Sequence, residues 1–296
     1  MRFRMRSVVS FGVALLFAGS VYGKNLPNVD TFGTRQSKGA SNLAQKAGNL
    51  LRAGSRIQEE SRLGVPTFLW LSDAAQLSGT PQGQGAERKE VAAARGYLSA
   101  VADLYELNAN DVTSAIPSMV INTGRGPVIV KFKQELNGIE IFREELNVVM
   151  NQKLEAIAVT GYITSLSTPA AKAGQTGWTL QAASAATSAL RDAAVANLGS
   201  TQLVKSFSRE GYDFYTLPAP IPGLSMEEPV RMKQVWFHLP EGLVPAYYVE
   251  VITSNVTGEP MLDVQIDESA YAYVLSAADG SILFRKNLVN EAADST

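Results

Sequence analysis

The chain has 296 residues, of which 46% are hydrophobic and 18% charged, so it can bury a sizeable core and is not of disordered composition. This length is typical of about two domains. The net charge of −2, without a long basic run, gives no indication of binding to nucleic acid, so we expect no nucleic-acid partner. The lack of cysteine means that disulfides cannot stabilise the fold.

The N-terminus has the pattern of a secretory signal peptide. Three arginines within the first six residues precede an apolar run, Val8–Ala18, that is too short to span a membrane comfortably. The residues Val21–Gly23 suit signal peptidase, so we expect cleavage before Lys24, with an uncleaved anchor as the alternative. We therefore expect a secreted or periplasmic chain, with no stable membrane insertion after cleavage.

The first part of the mature chain is polar and weakly patterned. Residues 24 to about 64 predict a loose arm with one short helix near Leu43–Leu51. The compact apolar run Val65–Leu71 predicts a first strand, and Thr80–Gly85 has the composition of a linker.

The strongest helical pattern covers Glu87–Leu107. Val91, Ala94, Leu98 and Val101 recur at the spacing of one helix face. We expect this helix to pack its apolar face on the sheet that follows.

An antiparallel meander is predicted next. Val128, Val130 and Phe132 alternate with Ile129, Lys131 and Lys133, which is typical of a half-buried strand. Asn137 and Gly138 suit a type I′ turn, because both central residues of that turn need positive φ.

The returning strand changes its apolar phase. Its apolar residues are odd-numbered at Ile139 and Ile141 and even-numbered from Phe142 onward. A strand with a period of two cannot change faces without an extra residue, so we predict a β-bulge between Phe142 and Glu145. A third strand, Leu154–Ile163, completes the meander.

The second half repeats this plan. An alanine-rich helix is predicted over Thr179–Leu198, with Gly199 as its C-cap, and a short strand over Leu203–Phe207 precedes a proline-rich loop at 216–229. The remaining predicted strands are Val230–Leu239, Leu243–Thr253, Ser269–Leu275 and Ser281–Lys286. The predicted fold class is α+β, with two tandem helix-plus-antiparallel-sheet domains.

Few residues have the pattern of a catalytic or metal site. His238 is the only histidine, and without cysteines it cannot complete a protein zinc site, so we expect a structural or surface role. The pair Glu144–Glu145 should point to opposite faces of a strand and be solvated. Glu145 is the exception, because a bulge would re-aim it, and the alternative for it is an ion pair with Lys131 or a neighbour.

The stretch from Lys89 to Ile163 resembles the fungalysin/thermolysin propeptide (FTP) domain. The resemblance lies in the helix at 94–107 and in the stretch 130–161. It depends on the order and spacing of a set of residues: Gln134, Asn137, Gly138, Ile139, Phe142, Glu145 and Leu146. Arg143 and Glu144 depart from the family pattern, in which small residues commonly precede the glutamate.

The second half is similar to the region that follows FTP in precursors of fungalysin-class secreted zinc metallopeptidases. The matching stretches are 244–251 and 270–288, and they imply a PepSY-like fold after a cystatin-like first domain. The expected organisation, in chain order, is a signal peptide at 1–23, an arm with the first strand at 24–84, the FTP-like domain at 85–165, a linker at 166–177, the PepSY-like domain at 178–288 and a tail at 289–296.

The resemblance implies a non-catalytic propeptide that inhibits a secreted zinc metallopeptidase and acts as its folding chaperone. The His-Glu-x-x-His motif of that enzyme class is absent here. We therefore expect no enzyme activity and no cofactor in this chain, with zinc only in a partner or missing catalytic domain. The chain is then either a truncated precursor or a protein that acts in trans.

Gln134, Asn137, Gly138, Phe142 and Glu145 are the candidate partner-binding residues, and the competing interpretation is that they only pin the hairpin. A periplasmic module that binds a peptide or an envelope component is the alternative function. A stand-alone enzyme lacks the residue constellation that a site requires.

Overall fold

The computed structural model describes residues 24–39, 41–51, 54–72, 87–167, 177–194, 196–226, 228–257 and 265–289. The predicted signal peptide, the linker-like Thr80–Gly85, most of the 166–177 boundary and the tail from 290 onward lie outside these residues. In the described part of the chain, no helix is long and apolar enough to cross a membrane.

The structure mixes helices with antiparallel sheets, as predicted, and strands predominate. The helices are α1 (Leu43–Leu50), α2 (Lys89–Val101), α3 (Ala109–Ser114) and α4 (Ala182–Ala193). The strands of the first half are β1 (Val29–Asp30), β2 (Arg56–Glu60), β3 (Val65–Trp70), β4 (Ile116–Ile121), β5 (Val128–Lys133), β6 (Glu135–Leu136), β7 (Ile139–Glu140), β8 (Glu145–Met150) and β9 (Ala156–Tyr162). Those of the second half are β10 (Val204–Arg209), β11 (Tyr212–Thr216), β12 (Val230–Leu239), β13 (Gly242–Thr257), β14 (Gln265–Ser276) and β15 (Ile282–Asn287).

The first sheet has the strand order β2-β3-β9-β8-β5-β4, and every pair in it is antiparallel. Val128, Val130 and Phe132 of β5 are fully buried, which confirms the predicted half-buried strand. They face the same core as Leu146 and Val148 of β8, against which α2 packs. Period-two burial therefore fixes which face of this sheet carries the helix.

Helix α2 is shorter than the predicted span. It ends at Val101 and continues as a single turn of 3₁₀-helix to Tyr105, which Glu106 terminates with a left-handed backbone, φ 55°. Asn108 then begins α3 with a capping box that it forms with Asp111. Because the 3₁₀ turn still buries Leu104 and Tyr105, the predicted apolar stripe is kept although the helix type changes.

The N-terminal arm is not loose, and that prediction was wrong. Strand β1 pairs with β15, and α1 and β2 lie within the 24–64 stretch. Tyr271 bonds the arm through its hydroxyl, which donates to the carbonyl of Lys24 and accepts from the Leu26 N–H. The Arg285 guanidinium donates to the carbonyl of Pro27. These partners are some 250 positions away along the chain, so local patterning could not indicate them.

The second sheet has the order β1-β15-β14-β13-β12-β11-β10 and is antiparallel throughout. Helix α4 packs on β12, β13 and β14. Tyr271 and Tyr273 are buried on one face, with ring centroids 6.1 Å apart. Strand β12 has the predicted bounds, whereas β11 was not predicted.

Helix α4 ends earlier than predicted, and Gly199 is not its C-cap. The cap residue is Ala194, which has an extended backbone, and Gly199 lies in a separate turn with φ 54°. The helix can end there because Ala193 and Ala194 are already buried in the core beside Leu198. Tertiary packing, and not the glycine, decides where this helix stops.

Candidate functional site

The Asn137-Gly138 turn closes a two-stranded ribbon, β6–β7, that projects from the first sheet. Both turn residues have positive φ, 56° and 76°, as predicted for a type I′ turn, and both are exposed. Strand β5 pairs directly with β8, with Phe132 opposite Leu146. The ribbon is therefore an excursion between two neighbouring strands.

The excursion crosses to the second sheet and joins the two sheets. Ile141 forms a parallel bridge with Trp236 of β12, and the Phe142 N–H donates to the Trp236 carbonyl at 2.8 Å. The Trp236 indole N–H in turn donates to the carbonyl of Leu136 at 3.0 Å. Trp236 is buried with Ile141 and Leu243, so an apolar contact supports these bonds.

The predicted β-bulge between Phe142 and Glu145 was therefore wrong. Strand β7 ends at Glu140, Arg143 adopts φ 63°, and β8 begins only at Glu145. The change of apolar phase is real, but the chain achieves it by leaving one sheet, touching the other and returning. An extra residue within one continuous strand is not needed.

Phe142 and Gln134 lie at the base of this excursion, away from its tip. The Phe142 ring packs 5.4 Å from Tyr248, 5.5 Å from Phe284 and 6.2 Å from Phe237. Gln134 is 1% exposed, and its side-chain amide has no hydrogen-bond partner among the described residues. The structure thus uses Phe142 to pin the excursion to the second sheet.

Glu145 is half-buried on β8 and forms an ion pair with Lys131 at 2.9 Å. This was the alternative to a re-aimed functional group. The five candidate residues consequently do not form one free surface. Asn137 and Gly138 are at the exposed tip, whereas Phe142 and Glu145 are engaged within the chain.

Because both members of this ion pair keep substantial exposure, its contribution should be small. We expect Glu145→Gln to change the free energy of unfolding by less than about 1 kcal/mol. Urea unfolding of the two proteins measures this directly. A loss of several kcal/mol would show that the Glu145 carboxylate has a structural role beyond the pair with Lys131.

Glu144, expected at the surface, is instead buried, with 4% exposure. Its carboxylate accepts hydrogen bonds from the Thr164 N–H at 2.7 Å and from the Thr164 hydroxyl at 2.6 Å. His238 Nδ1 of β12 lies 2.5 Å from the same carboxylate. Glu144 precedes β8, which begins at Glu145, so strand alternation gave no signal that this carboxylate would be buried.

Hydrogen bonds in the Glu144–Thr164–His238 cluster join β12 to residues of the first half of the chain. The cluster does not have the geometry of a catalytic relay. In a nucleophilic triad, the imidazole uses one nitrogen for the nucleophile and the other for the acid. Here Thr164 Oγ1 and Glu144 Oε1 both lie beside Nδ1, at 2.8 and 2.5 Å. An ionised carboxylate only accepts, so Nδ1–H and the threonine hydroxyl both donate to Glu144. His238 is thus hydrogen-bonded within the chain, and the expected structural or surface role stays a prediction.

Two clefts lie on either side of His238. One, of about 410 Å³, is lined by Phe32, Glu60 and Arg62, and the other, of about 370 Å³, by Leu63 and Tyr105 among others. His238 and Tyr162 line both clefts. Charges of both signs meet in the first cleft, so its electrostatics favour no single class of ligand.

Burial governs the ionisation of the groups around this junction. It raises the pKa of the Tyr105 phenol, and at Tyr162 burial and then the nearby Glu144 carboxylate raise the pKa. On β12, burial lowers the pKa of Lys233, but hydrogen bonds and charge interactions with Glu140 and Tyr212 together outweigh burial, and the net pKa is raised. These tyrosines therefore stay neutral hydrogen-bonding groups, and Lys233 stays a cation.

Among the described residues, no group of three or more His, Cys, Asp or Glu side chains could hold a metal ion. The expectation that zinc belongs to a partner stays a prediction.

Comparison with known proteins assigns the chain to no family. A scan against protein-family models finds no match for the chain. A search of curated proteins likewise finds no significant match. The FTP and PepSY resemblances therefore remain predictions based on the residues quoted for them.

Proposed function

We propose that this chain is a non-catalytic, propeptide-like inhibitor and folding chaperone of a secreted zinc metallopeptidase. In this proposal the chain is itself exported, and its two tandem helix-plus-sheet domains, at 85–165 and 178–288, are cystatin-like and PepSY-like. The metallopeptidase catalytic domain is the partner, supplied either in trans or by a longer precursor.

The observation that carries the proposal is the way in which the two sheets are joined. The β6–β7 excursion lies on β12, and the buried Glu144 cluster adds hydrogen bonds at the same junction. Two sheets held together in this way present a surface that is ordered before binding. A pre-ordered surface loses less conformational entropy on binding, and this is what an inhibitor that must not become a substrate needs.

Chaperone activity follows from the same binding energy. A protein that binds the native peptidase and not the unfolded chain stabilises the native state by mass action. At a concentration one hundred times the Kd, this stabilisation is about 2.7 kcal/mol. One binding surface could therefore support both inhibition and folding.

The test uses the chain from Lys24 onward and a fungalysin- or thermolysin-class metallopeptidase exported by the same cell. We expect stoichiometric loss of hydrolysis of a fluorogenic peptide and a higher yield of active enzyme after dilution from denaturant. A subtilisin-class serine protease is the control for simple substrate competition. Neither inhibition nor improved refolding by the intact chain would contradict the proposal and leave the binding-module alternative.

A further inference from the structure

Strand β10 ends the second sheet and leaves one row of backbone N–H and C=O groups unpaired among the described residues. All six of its residues are exposed. Two of them are apolar, Val204 at 47% and Phe207 at 43% exposure. An exposed edge of this kind is a template for pairing with another extended chain.

The side chains along this edge are already held in place. The Phe207 ring stacks on Phe214 of β11, with centroids 4.4 Å apart and planes 13° from parallel. The Arg209 guanidinium lies 5.5 Å from the centroid of the same Phe214 ring. A segment that binds here would therefore meet an ordered apolar and cationic surface, which lowers the entropy cost of docking.

The charges at this edge favour an acidic partner. Lys205 is neutralised by Asp213 at 2.8 Å, whereas Arg209 has no carboxylate partner in the described part of the chain. A second copy of β10 is a poor occupant, because its six residues include no acidic side chain to pair with Arg209. An extended segment with an acidic side chain opposite Arg209 and an apolar one beside Phe207 supplies both contacts.

Two other sheet edges are less suitable. Strand β4 exposes Met119 and Ile116 to a similar degree, but Pro117 removes one N–H from its edge. The β15 edge is partly covered by β1. Strand β10 contains no proline and is exposed along its whole length.

We propose that the β10 edge binds an extended segment of the partner by strand addition. This segment carries an apolar and an acidic side chain two positions apart, on the face that meets Phe207 and Arg209. This inference adds a binding site to the proposed function. It rests on the proposed function only in identifying the partner as the metallopeptidase. Main-chain hydrogen bonds supply affinity, and Phe207 and Arg209 supply the selection for apolar and acidic side chains.

The first experiment uses synthetic peptides and the chain from Lys24 onward. The probes are a labelled peptide with valine and glutamate alternating along one face and threonine at the intervening positions, its lysine counterpart, and a version of the glutamate peptide N-methylated at alternate residues. Fluorescence anisotropy should show binding of the glutamate peptide and binding about tenfold weaker or worse for the other two. No binding of the glutamate peptide, or equal binding of the three peptides, would overturn the proposal.

Two variants test whether the glutamate peptide binds at β10. Arg209→Glu and Phe207→Ala should each weaken binding of the glutamate peptide about tenfold, because they remove the charge and the apolar contact. Met119→Ala on β4 is the matched control and should leave binding unchanged. Unchanged thermal unfolding verifies that each variant is folded, and hydrogen exchange of the β10 amides gives a second readout in the wild-type chain. An effect of Met119→Ala equal to that of Phe207→Ala would refute the assignment to β10.

The peptidase assay separates this inference from the proposed function. If the wild-type chain inhibits the metallopeptidase and Arg209→Glu inhibits equally well, the β10 assignment fails while the proposed function stands. If the glutamate peptide binds at β10 but no metallopeptidase is inhibited, the proposed function fails and the edge remains a peptide-binding site.

Discussion

Replacing Glu144 with alanine is expected to lower the free energy of unfolding by about 3 kcal/mol. The variant leaves three donors without their acceptor: the Thr164 N–H, the Thr164 hydroxyl and Nδ1–H of His238. An unsatisfied buried donor costs about 1–3 kcal/mol. The expected total is below three full penalties, because the Thr164 hydroxyl oxygen, 2.8 Å from His238 Nδ1, can accept the hydrogen bond from Nδ1–H that Glu144 no longer accepts. Urea unfolding followed by tryptophan fluorescence measures the loss.

Two further variants separate a buried network from a simple packing defect. His238→Ala should cost about 2 kcal/mol, because it removes one of the three donors and leaves Glu144 partly unpaired. The double replacement Glu144→Leu with His238→Leu should cost less than the sum of the two alanine variants, since no uncompensated charge remains buried. Glu145→Ala, one residue away and half-exposed, is the control. If Glu144→Ala and Glu145→Ala have equal effects, the buried network does not contribute to stability.

Replacing Gly161 with alanine is expected to destabilise the chain by at least about 3 kcal/mol. Gly161 lies in β9 opposite Leu146, with φ 72°. A Cβ at this position would overlap the carbonyl oxygen of Glu145. That oxygen is part of the backbone of β8, so relief requires the β8–β9 pair to separate and cannot come from a side-chain rotation.

Gly138→Ala is the matched control for this second prediction. Gly138 has nearly the same φ, 76°, but a Cβ there would meet nothing within 4 Å. The control should therefore show only the cost of a left-handed alanine, about 1 kcal/mol. The difference between the urea midpoints of the two variants isolates the steric overlap at Gly161. Equal losses in the two variants would mean that β9 can move away from Glu145 without cost.

Local chemistry made most of the secondary structure predictable. Period-two alternation located β5, and the Asn137-Gly138 pair specified positive φ at the tip of the ribbon. Helix ends were less predictable. Helix α2 became a 3₁₀ turn and α4 stopped before Gly199, because buried contacts at these ends outweigh the weak differences in helix propensity.

The sequence by itself determined the class of fold, the alternation of the strands and the position of the turn, because these depend on neighbouring residues. Only the tertiary structure decided that the change of phase after Ile141 is a crossing between sheets and that Glu144 is the buried carboxylate. The residues responsible, Trp236 and His238, are more than 90 positions further along the chain. Contacts at that separation depend on how two sheets pack, and a local period of two or 3.6 residues carries no information about that packing.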